Sequence, residues 1–548
     1  MFADVVFVNG QVITVDSDNR ILEAVAVKRN RIEAVGTNEE IKRWIGERTK
    51  VIDLQGRSLL PGFIDSHLHL IGYGRTRLSI NCKDASIQSN VDLIGKLQRK
   101  AVSTPAGGWI VAAGYNERAM LEGRYLTRHV LDDEVSTEHP ILIMRTCGHI
   151  MIANSKALEL AGVNDQSVDP EGGVFGRDES RRLNGLLVEA AMDQVKHAMN
   201  PTEEDLARAA EIASRDFVSL GITTIHDAGG FEPVNVRILH QSVRSGRLKV
   251  RVYAMVVHEP NFNRMRQTCL STGFGDERFR IGPAKIFIDG ASSVPTLATR
   301  QPYETNPEDS GILYYTQENM NDALIAAHRD GYQITAHAQG DRAIEMLLNT
   351  FEEALRQYPR DNHRHRIEHA GLAMPDLIER MAKLGIVTVP NPNFFTEFGD
   401  IYIKHFGARS DYFYPIGSCL KAGIVVAGAS DSPVSNCNPL IGIHGAVNRL
   451  TPSGAVVGEE QKISVMEAIR LYTWNGAYAS FEEDRKGSIE VGKLADLVVL
   501  NDRILDVTID RIDQLRVEMT MIDGEIVYQL GKSPDADDEL EETVNFIM

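Results

Sequence analysis

Residues 60–70, LPGFIDSHLHL, decide the fold of this chain. The apolar run that follows Pro61 and Gly62 is typical of a buried strand. His67 and His69 lie two residues apart at its end. Alternate side chains of a strand point to one face, so both imidazoles face the same side, whereas a helix would separate them. This spacing favours a site for Zn²⁺ or a similar divalent ion, and the alternative is a polar strand end without a ligand.

Seven later segments repeat the pattern of an apolar run that ends in polar residues. They are residues 223–229, 250–257, 284–290, 333–340, 365–371, 386–392 and 424–433. Amphipathic helical patterns, such as those at 203–219 and 341–357, separate most of them. Eight strand–helix units predict an α/β fold with a closed (β/α)8 barrel of the TIM type, in which catalytic groups lie at the carboxyl ends of the strands.

Short β-strand patterns occur near both ends of the chain. Residues 4–15 read as strand, Asn9-Gly10 turn and strand, which predicts a hairpin. A second hairpin is expected around the Asp-Gly turn within residues 517–528. Because neither terminal segment has enough apolar surface to stand alone, we expect both to form one small β-sandwich beside the barrel.

The spacing of the strands also predicts the order of domains. About 150 residues separate the first two barrel strands, far more than an ordinary strand–helix connection, so an inserted subdomain is expected there. The acidic end predicts a poorly ordered tail. The expected boundaries are 1–58 and 483–533 for the sandwich, 59–482 for the barrel, about 72–215 for the insertion and 534–548 for the tail.

Composition excludes several classes of function. The 548 residues carry a net charge of −18, which argues against nucleic acid as a partner, because binding phosphates needs a basic face. The five cysteines are scattered without a CxxC pair, so neither a disulfide framework nor a thiolate zinc site is indicated. The start shows no signal-peptide pattern and no apolar run approaches the length of a membrane span, so we expect a cytoplasmic protein without a membrane partner.

The ends of the predicted strands present a set of metal-binding side chains. Because the carboxyl ends of barrel strands meet at one mouth, five histidine or aspartate groups there predict a metal site. Lys285 lies in the fourth strand and belongs to the same set. The six residues are His67, His69, Lys285, His337, His369 and Asp431.

Several segments resemble the metal-dependent amidohydrolase superfamily. PGFIDSHLH, TAHAQGD, HRIEHA and GASDSP match its signature segments. AKIFIDG, GYNE, GHIMIANSKAL and HAQGDRAI resemble the amidohydrolase-3 group, which includes N-substituted formamide deformylases. The resemblance covers essentially the whole chain. It implies the same barrel, the terminal sandwich and a long first insertion.

The resemblance implies two divalent metal ions. His67 and His69 would hold one ion together with Asp431, and His337 and His369 would hold the other. Zn²⁺ is the expected metal, although His and carboxylate ligands also accept Mn²⁺ or Fe²⁺.

Lys285 needs a separate argument, because an ammonium cannot bind a cation. Burial near divalent ions should lower its pKa and free the amine to react with CO₂. The resemblance implies that the resulting carbamate bridges both ions. The alternative is an ion pair between Lys285 and Asp289 in the core.

The reaction implied by this site is hydrolysis of an amide-like C–N bond in a small N-acyl or N-formyl molecule. A hydroxide that bridges the ions would be the nucleophile, since bound metal lowers the pKa of water to about 7. Asp431 would be the catalytic residue, taking the proton and passing it to the departing nitrogen. The family's habit also favours a homodimer.

Other residues have two possible roles. His149 either reaches over the site to bind substrate or is structural. Tyr115 and Asn116, with Glu117, either line the substrate pocket or support the insertion. His226 is expected near the mouth but outside the ligand set. Asp341 is expected to be structural at the start of a helix.

Two alternative functions stay open. The first is a mononuclear deaminase or a D-aminoacylase-like enzyme on the same barrel. Those enzymes commonly lack the lysine of the fourth strand, so Lys285 and the number of bound ions discriminate between the readings. The second alternative is a catalytically inactive relative that serves as a scaffold. Such proteins typically lose metal ligands, whereas this sequence has every expected one.

Overall fold

The computed structural model describes residues 2–145, 150–170, 172–229, 235–257, 265 and 270–532. The chain divides into two compact units, one formed by residues 1–70 and 214–548 and the other by residues 71–213. His149 and the acidic segment 534–548, for which the sequence made predictions, lie outside the described residues. Within the described part, no helix is both long enough and apolar enough to cross a membrane.

A parallel sheet of seven strands forms the centre of the first unit. The strands are hydrogen-bonded in chain order, as a barrel requires. Nearly all of their residues are buried, because helices cover a parallel sheet on the outside while side chains fill the inside. The strands are Phe63–Leu68, Ile222–Asp227, Arg251–Val257, Phe279–Phe287, Ile334–Ala338, Arg366–His369 and Val387–Val389. They confirm an α/β fold built around a parallel barrel.

The eighth barrel position differs from the prediction. Residues 424–433 form no regular strand, and Val426 makes only an isolated parallel bridge with Thr388 of the seventh strand. On the other side, the backbone N–H of Asp431 donates to the carbonyl of His67 at 2.7 Å. A positive φ of 58° at Asp431 interrupts the pleat that a regular ladder needs. The barrel is therefore a nearly closed sheet of seven strands rather than a ring of eight.

Helices follow most barrel strands. The helix Asp341–Gln357 shows why these segments pack onto the sheet: its buried residues recur every three or four positions, which makes one apolar face. The α-helices of the first unit are Asn38–Ile41, Asn235–Arg244, Gln317–Arg329, Asp341–Gln357, Pro375–Leu384, Phe394–Phe406, Ile416–Lys421, Pro439–Asn448, Val465–Leu471 and Trp474–Ala479.

The first unit contains two further sheets, one built from the amino-terminal part of the chain and the other from both ends. A four-stranded sheet has the order Arg31–Gly36, Ala24–Lys28, Val5–Val8 and Lys50–Asp53. A six-stranded sheet has the order Glu525–Gln529, Val517–Ile522, Leu497–Leu500, Ser58–Pro61, Gln11–Ile13 and Ile21–Leu22. One hydrophobic cluster joins them, with Phe7 and Val25 from the first sheet and Leu59 and Val499 from the second.

The hairpin expected at residues 4–15 is wrong. Val5–Val8 pairs within the four-stranded sheet and Gln11–Ile13 pairs within the six-stranded sheet. Asn9 has a φ of 55°, so the chain turns there, but it turns from one sheet into the other. The expected hairpin around Asp523 is confirmed, since Val517–Ile522 and Glu525–Gln529 pair as antiparallel neighbours.

The second unit has a mixed six-stranded sheet of its own. Its strand order is Gly173–Arg177, Leu183–Glu189, Ile150–Ala153, Ile141–Arg145, Ile110–Tyr115 and Ile80–Asn81. Six α-helices and the short 3-10 helix Glu117–Ala119 accompany the sheet in the described part. The α-helices, two of which cross the unit's boundary, are Leu70–Leu78, Asn90–Ser103, Arg128–Glu134, Ser155–Leu160, Ala191–Ala198 and Glu203–Ser219.

Candidate metal centre

Three donor atoms converge where the first barrel strand ends. His67 is the penultimate residue of that strand, and His69 directly follows it. Asp431 belongs to the segment that hydrogen-bonds beside them. Nε2 of each imidazole lies 3.4 Å from Oδ1 of Asp431, and the three donor atoms all lie within 4.8 Å of one another. His67 and Asp431 are buried, and the side chain of His69 is 23% exposed.

The Nδ1 atoms of His67 and His69 each have a fixed hydrogen-bond partner. Nδ1 of His67 lies 2.5 Å from the carboxylate of Glu368, and Nδ1 of His69 lies 2.6 Å from the carbonyl of Gly229. Both partners accept hydrogen bonds, so Nδ1 is the donor to them in each ring and Nε2 is the nitrogen that faces Asp431. Two imidazole nitrogens and a carboxylate oxygen then face one another, an arrangement that a cation among them would stabilise. This donor set therefore fits a divalent metal ion.

His337 and His369 are arranged by the same principle. Nε2 of His337 donates to the carbonyl of Gly290 at 3.0 Å, and Nδ1 of His369 donates to Oδ1 of Asn391 at 2.7 Å. Their ring centroids lie 4.6 Å apart, and that of His369 is 4.8 Å from His67. Burial lowers the pKa of His337 to about 4 and that of His369 well below its usual value, so both imidazoles stay neutral. Each therefore has one nitrogen free to bind a metal.

The backbone is strained at two of these residues. His369 has a φ of 71° and Asp431 a φ of 58°. Non-glycine residues rarely adopt this left-handed conformation, and those that do cluster at functional sites. The hydrogen bonds of the Asp431 backbone and of the His369 side chain hold the two residues in place.

Lys285 lies fully buried in the fourth barrel strand. Its Nζ is 3.2 Å from Nε2 of His67 and lies over the ring of Phe287. Burial lowers the pKa of Lys285 to about 8. The alternative ion pair with Asp289 is wrong. Both oxygens of Asp289 accept backbone N–H groups, at 2.8 to 3.0 Å, from the chain around Gly340 and Ala298.

Two acidic residues at this centre were missed by the sequence analysis. Glu368, two residues after Arg366 on the same strand, is fully buried beneath His67. Burial raises the pKa of Glu368, but Arg366 and His67 outweigh that effect and hold it well below its usual value. Asp65 accepts from the backbone N–H groups of His67 and Ser430, both at 3.1 Å. Alternation along a strand could have found Asp65, which shares a face with His67. Glu368 is adjacent to His369 in the strand and so faces the other way, and its contact with His67 depends on the barrel.

The structure places His226 and Asp341 outside the donor group. Nδ1 of His226 accepts a hydrogen bond from Arg366 at 3.0 Å, and its ring packs against Tyr253 inside the barrel. Asp341 is the first residue of its helix and accepts from the backbone N–H of Arg300 at 2.7 Å.

The candidate substrate-binding residues of the insertion make contacts within the second unit. The hydroxyl of Tyr115 donates to Asn90 at 2.8 Å, and the ring belongs to a buried hydrophobic cluster. Asn116 accepts from a backbone N–H at 3.2 Å and caps a short helix. Glu117 forms an ion pair with Arg145 at 2.7 Å. These are contacts that support the insertion itself.

Comparison with known proteins places this chain in a family. A family model described as "Amidohydrolase family" matches residues 50–528. The chain belongs to the amidohydrolase family. The resemblance seen in its motifs is thereby confirmed.

Two relatives align over almost the full length of the chain. YtcJ of Bacillus subtilis is 30% identical to this chain, and the alignment covers 95% of this chain and 98% of YtcJ. The N-substituted formamide deformylase of Arthrobacter pascens is also 30% identical, and its alignment covers 96% of this chain and 98% of the deformylase. Among solved structures, an uncharacterized metal-dependent hydrolase from Pyrococcus horikoshii superposes with a TM-score of 0.78 at 25% identity. That superposition covers 92% of this chain and 99% of the other.

Proposed function

We propose that this amidohydrolase cleaves an amide-like C–N bond in a small N-acyl or N-formyl compound. The observation that carries the proposal is the group formed by His67, His69 and Asp431, whose donor atoms lie within 4.8 Å of one another. The relative from Arthrobacter pascens is named for the deformylation of N-substituted formamides, which supports a formyl or acyl amide as substrate.

The proposed centre holds two divalent ions. His67, His69 and Asp431 would bind one, and His337 and His369 would bind the other. Neutral imidazoles and a carboxylate suit Zn²⁺ best, and Mn²⁺ or Fe²⁺ are also compatible. When bound, such ions polarise a substrate carbonyl and lower the pKa of water to about 7.

Lys285 would supply a carbamate to both ions. Its amine would add to CO₂, forming a new N–C bond and releasing one proton. Burial lowers the pKa of Lys285 to about 8, which favours the neutral amine, the form that reacts with CO₂. The completely buried Nζ lies 3.2 Å from Nε2 of His67, so the carbamate would form beside the proposed ligands.

Asp431 would move the proton during hydrolysis. Its carboxylate would accept a proton from the attacking water and then donate it to the nitrogen as the C–N bond breaks. The products are a carboxylic acid and an amine. Asp431 has a left-handed backbone, and its N–H donates a hydrogen bond to the carbonyl of His67. Together these hold the carboxylate beside both imidazoles.

The experiment that tests the proposal combines metal analysis with a substrate screen. Purified protein is loaded with Zn²⁺, its metal content is measured, and it is assayed with N-formyl amines, N-acyl amines, lactams and esters. We expect about two ions per chain and release of amine from at least one amide. Esters cleaved while every amide is inert would contradict the assignment to C–N bonds.

A mononuclear deaminase or D-aminoacylase-like enzyme is the second candidate. Within the described residues, His67, His69 and Asp431 are the one group whose donor atoms meet the 4.8 Å spacing, which favours a single ion. One ion per chain together with ammonia release from amino-substituted rings would select the deaminase.

A further inference from the structure

We propose that Glu368 is a positioning residue that makes His67 the strongest metal-binding imidazole of the centre, and that Arg366 keeps Glu368 anionic. This inference rests on the proposed function, because it concerns the ion held by His67, His69 and Asp431.

Glu368 is surrounded by hydrogen-bond donors. Its Oε2 lies 2.5 Å from Nδ1 of His67, and its Oε1 accepts from the hydroxyl of Thr335 at 2.7 Å. Arg366 donates Nε to Oε1 at 2.8 Å and Nη2 to Oε2 at 2.9 Å. Glu368 and Arg366 are both completely buried. The carboxylate therefore has one fixed orientation beneath the imidazole.

His67 differs from the other three histidines in that the nearest partner of its Nδ1–H is a carboxylate. Its Nδ1–H lies 2.5 Å from a carboxylate, whereas His69 and His337 donate to backbone carbonyls and His369 donates to the amide of Asn391. Nε2 of His337 also has a carboxylate oxygen nearby, that of Asp289, but at the longer distance of 3.5 Å. A cation that binds Nε2 draws electrons from the ring and makes the Nδ1–H more positive. An anion at that hydrogen stabilises the change more than a neutral acceptor does, and it also fixes the tautomer.

The position of His67 makes this effect important for the whole centre. Its Nε2 is 3.2 Å from Nζ of Lys285 and 3.4 Å from Oδ1 of Asp431. A rotation of the His67 ring would therefore change the distances from Nε2 to both Lys285 and Asp431.

Arg366 explains why an acid can stay charged at this depth. A buried carboxylate without a partner is strongly unfavourable, and a two-pronged guanidinium compensates for it. Arg366 is itself held by the carbonyl of Ser66 at 2.7 Å and by Nδ1 of His226 at 3.0 Å. His226 thus contributes to the centre through Arg366.

The test measures tautomer and metal affinity instead of turnover. In the metal-free protein, ¹⁵N shifts of labelled histidine report which nitrogen of His67 carries the proton. Zinc affinity is then measured by competition with a chelator. In Glu368→Gln the amide oxygen still accepts from Nδ1, so we expect the tautomer to persist while zinc affinity falls by about 10- to 100-fold.

A second variant guards against misfolding. Glu368→Gln leaves Arg366 without its anion, so the neutral pair Arg366→Met with Glu368→Met is measured too, because apolar replacement of a buried ion pair is often tolerated. We expect this pair to fold, to lose the fixed tautomer and to bind zinc at least as weakly as Glu368→Gln.

The matched control is an equally buried pair in the same unit. Arg251 donates to Asp496 at 2.6 and 2.9 Å at the start of the third barrel strand. Arg251→Met with Asp496→Asn should lower stability and leave zinc affinity unchanged. Wild-type zinc affinity in both Glu368 variants, or a proton on Nε2 of His67 in the metal-free wild type, would overturn this inference. Wild-type protein that binds no zinc would contradict the proposed function itself.

Discussion

The strained backbone of Asp431 suits this residue to the two roles proposed for it. The left-handed φ of 58° directs the carboxylate to 3.4 Å from both His67 and His69, while the N–H stays bonded to the first barrel strand. A residue in ordinary strand geometry at this position would continue the pleat. The strain therefore supports the metal-binding and proton-transfer roles that we propose for Asp431.

Replacing the carboxylate of Asp431 tests its role in proton transfer. Asp431→Asn keeps the size of the side chain but cannot accept a proton, so we expect turnover to fall by about 10²- to 10⁴-fold with the fold retained. Steady-state kinetics and circular dichroism measure both quantities. Asp341→Asn, a buried acid at a helix start, should keep its turnover. Near-normal turnover of Asp431→Asn would contradict the assignment.

Lys285 is testable by chemical rescue. Lys285→Ala removes the proposed carbamate, so we expect loss of metal and activity, with partial recovery when short carboxylic acids are added. Metal analysis and activity assays measure the two effects. Lys486→Ala is the control, because Lys486 is equally buried but pairs with Glu482 at 2.8 Å. Full metal content in Lys285→Ala would make Lys285 a packing residue.

At the scale of elements, three histidines join neighbouring segments at the amino-terminal end of the barrel. Nε2 of His365 donates to Nδ1 of His328 at 3.0 Å, and Nδ1 of His365 accepts from the backbone N–H of Ile334 at 3.2 Å. Nδ1 of His363 accepts from the backbone N–H of His365 at 2.9 Å. Every accepting nitrogen faces a donor, so protonation of any of these rings would break a bond.

This chain of histidines predicts a pH effect on stability. Burial, with His363 and His328 nearby, holds the pKa of His365 well below its usual value. Below about pH 6.5, His365 binds a proton in the unfolded chain but stays neutral in the folded chain. The free energy of unfolding therefore decreases as the pH is lowered, by up to about 1.4 kcal/mol per pH unit. Urea unfolding of metal-free protein between pH 7.5 and 5.5 should show a shallower decline for His365→Gln. Equal declines would contradict this assignment.

Substitutions at two glycines distinguish the free-energy cost of a left-handed backbone from the cost of a close contact. Gly524 and Gly531 both have a φ of 76°, but a Cβ at Gly524 would lie 1.9 Å from the carbonyl of Arg29, whereas at Gly531 it would meet open space. Gly531→Ala should cost about 1 kcal/mol, the penalty of the left-handed conformation. Gly524→Ala should cost about 1 to 3 kcal/mol more, because the tight approach of the two terminal sheets must open. Chemical denaturation measures both, and equal costs would contradict the contact.

On the scale of the whole molecule, the candidate metal would join the two edges of the nearly closed barrel. His67 and His69 come from the first strand and Asp431 from the irregular eighth segment. Metal removal should therefore lower the unfolding temperature, and free zinc at 100 times its Kd should stabilise the protein by about 2.7 kcal/mol. Thermal unfolding with and without a chelator measures the effect. His69→Asn should respond much less, and an equal response would place the stabilising ion elsewhere.

Much of the fold could be predicted because the relevant patterns are local. An apolar run marks a buried strand, and its final polar residue marks the end that faces the barrel mouth. This reasoning located the seven regular strands and the histidines at their ends. The eighth strand and the hairpin at Asn9 could not be predicted, because each depends on which distant segment supplies the hydrogen bonds.

The sequence by itself therefore determined the barrel, the family and the positions of the candidate ligands. Only the tertiary structure decided which groups touch: Glu368 beneath His67, Lys285 beside the same imidazole, and Asp289 occupied by backbone N–H groups. The physical reason is that alternation along a strand determines which face a side chain takes, while its partner comes from another segment, 301, 218 and 51 residues away in these three contacts. Barrel register, and not local sequence, brings those partners into hydrogen-bonding distance.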